Sequence, residues 1–201
     1  MPAQDLAMTE LIPLLTYSLV MSSTPGPNNI MLTASGANFG YRRSLPHILG
    51  IAAGHGPQIF FSCLGLGAVF HTWPVLHQVL RIVGAAYLVV LAWKLAGSAV
   101  GHRDMERPLS FWQALSFQAV NPKGWVKAVT VATVFMPPGM GVLGGSALVT
   151  AISIAINLPC VSMWALFGVA IRRLLVQPLH RKLFNAIMAS SLVVLAIALM
   201  L

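Results

Sequence analysis

The chain has 201 residues, 57% of them hydrophobic and only 8% charged, with a net charge of +8. A soluble domain carries roughly 25% charged residues, so these proportions exclude a globular surface in water. The basic residues lie in short clusters between long apolar runs, without exposed interleaved aromatics, which excludes a nucleic-acid-binding face.

A chain of this length is expected to form one domain, spanning 1–201. Met1 to Asp5 has no basic stretch, so no cleaved leader is expected. A transmembrane helix needs about 20 mostly apolar residues. Six such segments are predicted, at 8–41, 46–70, 78–98, 109–137, 146–170 and 183–201. The fold class is therefore an all-α polytopic membrane protein in the lipid bilayer.

The first segment is interrupted at Thr24-Pro25-Gly26-Pro27-Asn28-Asn29. Pro25 and Pro27 remove two backbone donors, and Gly26 admits torsions that other residues avoid. In lipid, broken backbone is tolerated only where it is buried in protein or lines a polar cavity. Asn28 and Asn29 add donors and acceptors at the same depth. The half-helix after Pro27 presents its N-terminal amides to the break, which attracts a carboxylate. The alternative is a plain proline kink with capping asparagines.

The second segment carries His55 near its centre, with Gln58 close by. Histidine titrates near physiological pH, and His55 is the only deeply placed group suited to carrying a proton. Its alternative is a neutral histidine bonding a neighbouring helix. Gly50, Gly54 and Gly56 suit close helix packing.

The fourth segment is interrupted at Asn121-Pro122-Lys123. Lys123 and Lys127 are four residues apart and share a helix face. A buried ammonium is costly unless paired or hydrated, so either could bind a carboxylate. Two placements stand for Lys123, in the site or snorkelling at the interface; for Lys127 snorkelling is expected. In the fifth segment Asn157 interrupts an apolar run before Pro159, as interhelical glue or as part of a cavity. Cys63 and Cys160 lie in apolar runs, and no metal-ligand spacing, phosphate loop or catalytic triad is present. No cofactor or metal is expected.

Loops one, three and five hold nine basic residues: Arg42, Arg43, Lys94, Arg103, Arg107, Arg172, Arg173, Arg181 and Lys182. Loops two and four hold Arg81 alone. Positive charge stays inside, so the odd loops are cytoplasmic and both termini periplasmic. The halves, about 8–98 and 109–201, then run in opposite senses, as an inverted repeat does. Each break lies about 13 residues, or about 20 Å of helix, from the basic loop beside it.

Thr24-Pro25-Gly26-Pro27-Asn28-Asn29, followed by Gly40-Tyr41-Arg42-Arg43, resembles the signature of the LysE/RhtB superfamily of bacterial amino-acid exporters. Gly84-Ala85-Ala86-Tyr87-Leu88, Leu91-Ala92-Trp93-Lys94 and Asn121-Pro122-Lys123 are similar to it in the same order. Ser110-Phe111-Trp112 and Trp164-Ala165-Leu166 look most like the branch that exports cysteine and O-acetylserine. The resemblance implies secondary efflux across the inner membrane without ATP, with the two broken segments forming the path. Many relatives have an acidic residue where this chain has Asn157, which moves attention for proton coupling to His55. The near absence of charge after Lys182 argues against a regulatory tail.

The expected function is export of a small amino acid or derivative, driven by protons. The substrate carboxylate would meet the amides after Pro27, with Lys123 as a further partner. Its ammonium would meet carbonyls freed at the breaks. An intramembrane enzyme would need a nucleophile–base pair that the segments lack, and a non-transporting scaffold has little use for two broken helices. Oligomeric state is not encoded in any of these features.

Overall fold

A computed structural model describes residues 3–66, 74–97, 107–172, 174 and 177–200. Those residues are helical and contain no strand. The helices are α1 (Ala3–Ser23), α2 (Pro27–Phe39), α3 (Tyr41–Phe61), α4 (Pro74–Gly97), α5 (Phe111–Val120), α6 (Pro122–Val134), α7 (Val142–Ile171) and α8 (Pro178–Met200). A π-helical turn, Ser62–Leu66, continues α3 and contains Gly65 at φ 115°. The second and third loops, with His71, Thr72, Trp73, Arg103, Asp104 and Glu106, lie outside the described residues.

The helix boundaries follow from proline chemistry. Proline disfavours helical torsions at the residue before it. Pro25 and Pro27 therefore hold Thr24 and Gly26 out of the helix, so α1 ends at Ser23. Pro27 itself opens α2 at the first helical position, where its missing amide costs nothing. Asn121, held extended at ψ 109° before Pro122, ends α5 and opens α6 in one residue. Its side chain accepts from the Lys123 amide as an N-cap. At the start of α5, Ser110 and Gln113 form a reciprocal capping box. Pro46, Pro57 and Pro159 lie inside their helices without ending them.

Burial is inverted relative to a soluble protein. Trp93, Leu179, Trp112 and Val75 are each about 70% exposed, while Ser18, Asn29, His55, Gln58, Gln118, Lys127 and Asn157 are buried. An apolar exterior around a polar interior is stable only where the surroundings are apolar. Among the described residues, two helices are long and apolar enough to cross a membrane by length and composition, Tyr41–Gly65 and Val142–Ile171. The halves of the broken segments are individually shorter, 13 residues in α2, 10 in α5 and 13 in α6.

Around the interior, α7 packs against α1, α2 and α3. Correspondingly, α3 packs against α5, α6 and α7. The α2–α7 seam is close: a Cβ on Gly36 would collide with the Ala165 carbonyl, and one on Gly168 with the Thr33 carbonyl. The α3–α5 seam is built alike, with Gly50 against the Phe111 carbonyl and Gly54 against the Gln118 side chain. Such backbone approach is how helices associate without a hydrophobic driving force. Gly56 meets the Ile154 side chain of α7 instead. Outside this group α4 and α8 pack on each other, joined to α2 and α5 through Leu88, Leu91, Phe117, Leu192 and Ile30.

Candidate functional site

The two breaks meet. Lys123 of α6 reaches across to the first break. Its Nζ donates to the Thr24 carbonyl at 2.8 Å, the Thr24 Oγ1 at 2.8 Å and the Pro25 carbonyl at 3.1 Å. Asn29 Nδ2 donates to the Ser22 and Thr24 carbonyls, both at 2.8 Å. The carbonyls freed by the broken helix thus have partners, one set from α2 and one from the opposite half of the chain. Gly26 is extended at φ −175°, a conformation open to any residue. What a side chain there would meet is Lys123: a Cβ would come within 2.8 Å of its Cδ.

A second set of bonds runs deeper. Asn28 Nδ2 donates to Gln118 Oε1 at 2.8 Å, and Asn121 Nδ2 to the same oxygen at 3.2 Å. Gln118 and Gln58 pair doubly: Gln118 Nε2 donates to Gln58 Oε1, and Gln58 Nε2 to the Gln118 carbonyl, each at 2.7 Å. Gly124 sits over this pair, where a Cβ would lie 2.6 Å from both amides. On the other side, Lys127 Nζ donates to Ser22 Oγ at 2.9 Å, and Asn157 Nδ2 approaches the same oxygen at 3.4 Å.

These side chains border a partly open cavity of about 40 Å³. Ser22, Gly26, Pro27, Asn28, Asn29, His55, Gln118, Asn121, Lys123, Gly124, Lys127 and Asn157 line it, with Met21 and Val161 as its apolar members. The volume suits roughly three waters. A larger solute enters only if the walls separate. Three of the lining residues carry a buried polar atom without a hydrogen-bond partner: Asn28 Oδ1, Asn157 Oδ1 and His55 Nε2.

The cavity lies between two apolar clusters. Leu32, Ile48, Ile51, Ala114, Val161 and Ala165 form one, and Leu14, Ile59, Ala128, Val131 and Val149 form the other. The sequence register is regular. In α3 the order is Ile51, His55, Ile59; in α7 it is Val149, Ser153, Asn157, Val161, Ala165. Steps of four residues are about 6 Å each along one helix face. His55 and Asn157 thus occupy the polar layer between two greasy ones.

Of the residues singled out from sequence, Gly26, Pro27, Asn28, Asn29, His55, Asn121, Lys123 and Asn157 come together around this space. Pro25 instead lines an apolar groove beside Trp164 and Phe167, and Pro122 lines neither. Lys127 differs from expectation. It is 3% exposed, and its ammonium turns inward to Ser22 rather than snorkelling outward. The reason is register: Lys123 and Lys127 share a face, and that face is the one opposed to α1. Gln118, Gln58 and Ser22 were not read from the sequence as site residues. Gln118 precedes the Asn-Pro break by three residues, which was the available signal.

The LysE type translocator family model matches residues 19–201. The chain belongs to the LysE family. Relatives named cysteine/O-acetylserine efflux protein, from Escherichia coli K12, Shigella sonnei and Shigella flexneri, are each 33% identical over 190 residues. The alignments cover 90% of this chain and 93% of each relative. No solved structure matches. As a LysE-family protein the chain is a membrane transporter and not an enzyme.

Proposed function

We propose that this LysE-family protein exports a small amino acid or derivative from the cytoplasm across the bacterial inner membrane. The observation that carries this reading is the polar cavity at the junction of the two helix breaks, flanked by two apolar clusters. A polar pocket with a greasy cluster on either side is what alternating access requires of its central site. The relatives named for cysteine and O-acetylserine efflux support a small neutral substrate.

The protein acts as a single domain with six spans in two inverted halves, 8–98 and 109–201. The contact pattern supports that repeat. Both pieces of the first broken segment pack on α7, and both pieces of the second pack on α3, its counterpart. The third helices of the halves, α4 and α8, pack on each other. With both termini periplasmic, the Leu32–Ile48–Val161 cluster is the inner plug and the Leu14–Ile59–Val149 cluster the outer one.

Efflux is proton-driven, with His55 as the group that carries the proton. Its support is a buried imidazole that lines the cavity, its Nε2 without a partner, in a segment with no acid. Two measurements test the reading. Overexpression is expected to raise amino acids in the medium, and proteoliposomes to show flux; no flux for any small amino acid removes it. His55→Gln keeps hydrogen bonding but cannot titrate. It is expected to preserve exchange between equal pools and to lose accumulation under an imposed pH gradient. Undiminished pumping would make His55 structural.

A further inference from the structure

We infer that Lys127, not Lys123, anchors the substrate carboxylate, and that the site admits zwitterions with uncharged side chains while rejecting basic amino acids. The inference rests on the export reading above and assigns roles within that same cavity.

The reasoning begins with donors. An ammonium has three N–H groups. Those of Lys123 are matched by three oxygens at the first break, Thr24 O, Thr24 Oγ1 and Pro25 O. Lys123 therefore holds the broken backbone, and binding a carboxylate would strip it from that role. Lys127 bonds only Ser22 Oγ, which leaves two donors for a ligand.

Charge points the same way. The four acids of the chain are Asp5, Glu10, Asp104 and Glu106, so α2 to α8 carry no acidic side chain at all. Glu10 is on α1 with Ser22, but twelve residues away, about 18 Å along the helix. A buried cation without a carboxylate is a costly arrangement, retained where an anion arrives from outside. The α2 N-terminus, which lines the same cavity as Lys127, adds amides of the right polarity.

The opposite pole of the substrate has a place too. Asn28 Oδ1 and Asn157 Oδ1 are acceptors, buried and unpartnered, and both residues line the cavity. They suit an α-ammonium, which donates three hydrogen bonds. The carbonyls of the first break do not serve here, because Asn29 and Lys123 already occupy them. A second cationic group on the substrate would find no acid on α2 to α8 and would meet the charges of Lys127 and Lys123. Lysine and arginine are therefore excluded by charge rather than by size alone.

The test is L-cysteine exchange in proteoliposomes, with cysteine methyl ester and lysine as competitors. For the unaltered protein, ester and lysine are expected to compete at least about tenfold less well than cysteine, the worth of one charge-assisted bond. Lys127→Met, of similar length and shape, should raise the KM for cysteine about tenfold or more and abolish the penalty on the ester. Lys123→Met should lower turnover while leaving that penalty in place. Lys127→Arg, which keeps the cation, should retain it as well.

If Lys127→Met exchanges cysteine with an unaltered KM and still discriminates against the ester, the anchor assignment fails and export stands. If Lys127→Met does not insert, the competition in the unaltered protein decides: an ester or lysine that competes as well as cysteine overturns the proposal. Absence of exchange by the unaltered protein with cysteine and with a mixture of neutral amino acids removes the export reading and the anchor together.

Discussion

The two helix breaks use the same residues, an Asn and a Pro, yet they are held together in different ways. The second break is one residue long and largely self-contained: Asn121 caps α6 through the Lys123 amide, and Pro122 sits where its missing donor costs nothing. The first break leaves Thr24, Pro25 and Gly26 outside any helix. Its carbonyls depend on side chains that come from elsewhere, Asn29 one turn into α2 and Lys123 from the other half of the chain. A break whose partners lie across the interface between halves changes when the halves move. A break that caps itself moves as a unit. The first break is thus the jointed one, and the second is the arm that holds it.

The largest effect that would sharpen this contrast is expected from removing both supports of the first break. Asn29→Ala with Lys123→Met leaves the Ser22, Thr24 and Pro25 carbonyls without their side-chain donors. The Ser22 carbonyl is on a buried residue, where a lost partner costs about 1–3 kcal/mol, and each bond lost at the exposed Thr24 and Pro25 adds about 0.5–1 kcal/mol, so the pair should cost about 3 kcal/mol. Thermal unfolding of the purified protein reads the loss. A double variant as stable as the parent would mean that the freed carbonyls find other donors, and the contrast between the breaks would fall.

Next in size is Gly124→Ala, on the arm itself. The added Cβ would lie 2.6 Å from the Gln58 and Gln118 amides and must push them apart. Overpacking of this kind costs about 1–3 kcal/mol. The Gln58–Gln118 pair ties α5 to α3, so the variant should destabilise the protein and slow exchange together. Unchanged stability with unchanged exchange would show that this tie does not carry the motion of the second half.

Much of this was legible in the sequence. The two breaks were, because proline acts locally and its effect on the residue before it needs no tertiary information. His55 and Asn157 were placed at mid-segment by apolar length alone. What sequence does not specify is rotation about a helix axis against an unknown neighbour. Lys127 reads as an interfacial residue when α6 is taken singly, since a long amphipathic side chain near aromatics snorkels. Only the packing of α6 against α1 turns that face toward Ser22. Gln118 was missed for a similar reason. Its partners, Asn28 and Gln58, lie 90 and 60 residues away in sequence. Conversely, Gly26 was read as a conformational need, and the extended torsions leave only close approach by Lys123 as its constraint.

The smallest effect is the most discriminating, and it concerns Asn121. This residue does two things: its Oδ1 accepts from the Lys123 amide at 3.2 Å, and its Nδ2 donates to Gln118 Oε1 at 3.2 Å. Serine caps helices about as well as asparagine but has no amide to reach Gln118. Asn121→Ser should therefore leave thermal stability within about 0.5 kcal/mol of the parent, while Asn121→Ala, which loses the cap, should cost about 1 kcal/mol. With the Asn121 donor gone, Gln118 Oε1 keeps only Asn28, a residue of the first break. The link between the breaks would then rest on one bond instead of a shared pair. Exchange by Asn121→Ser is expected to change by only a few-fold, an energy of about one neutral hydrogen bond. If Asn121→Ser instead abolishes exchange while keeping full stability, the second break is not a passive arm. Gln118 would then have to be released and recaptured in each cycle, and both breaks would be joints.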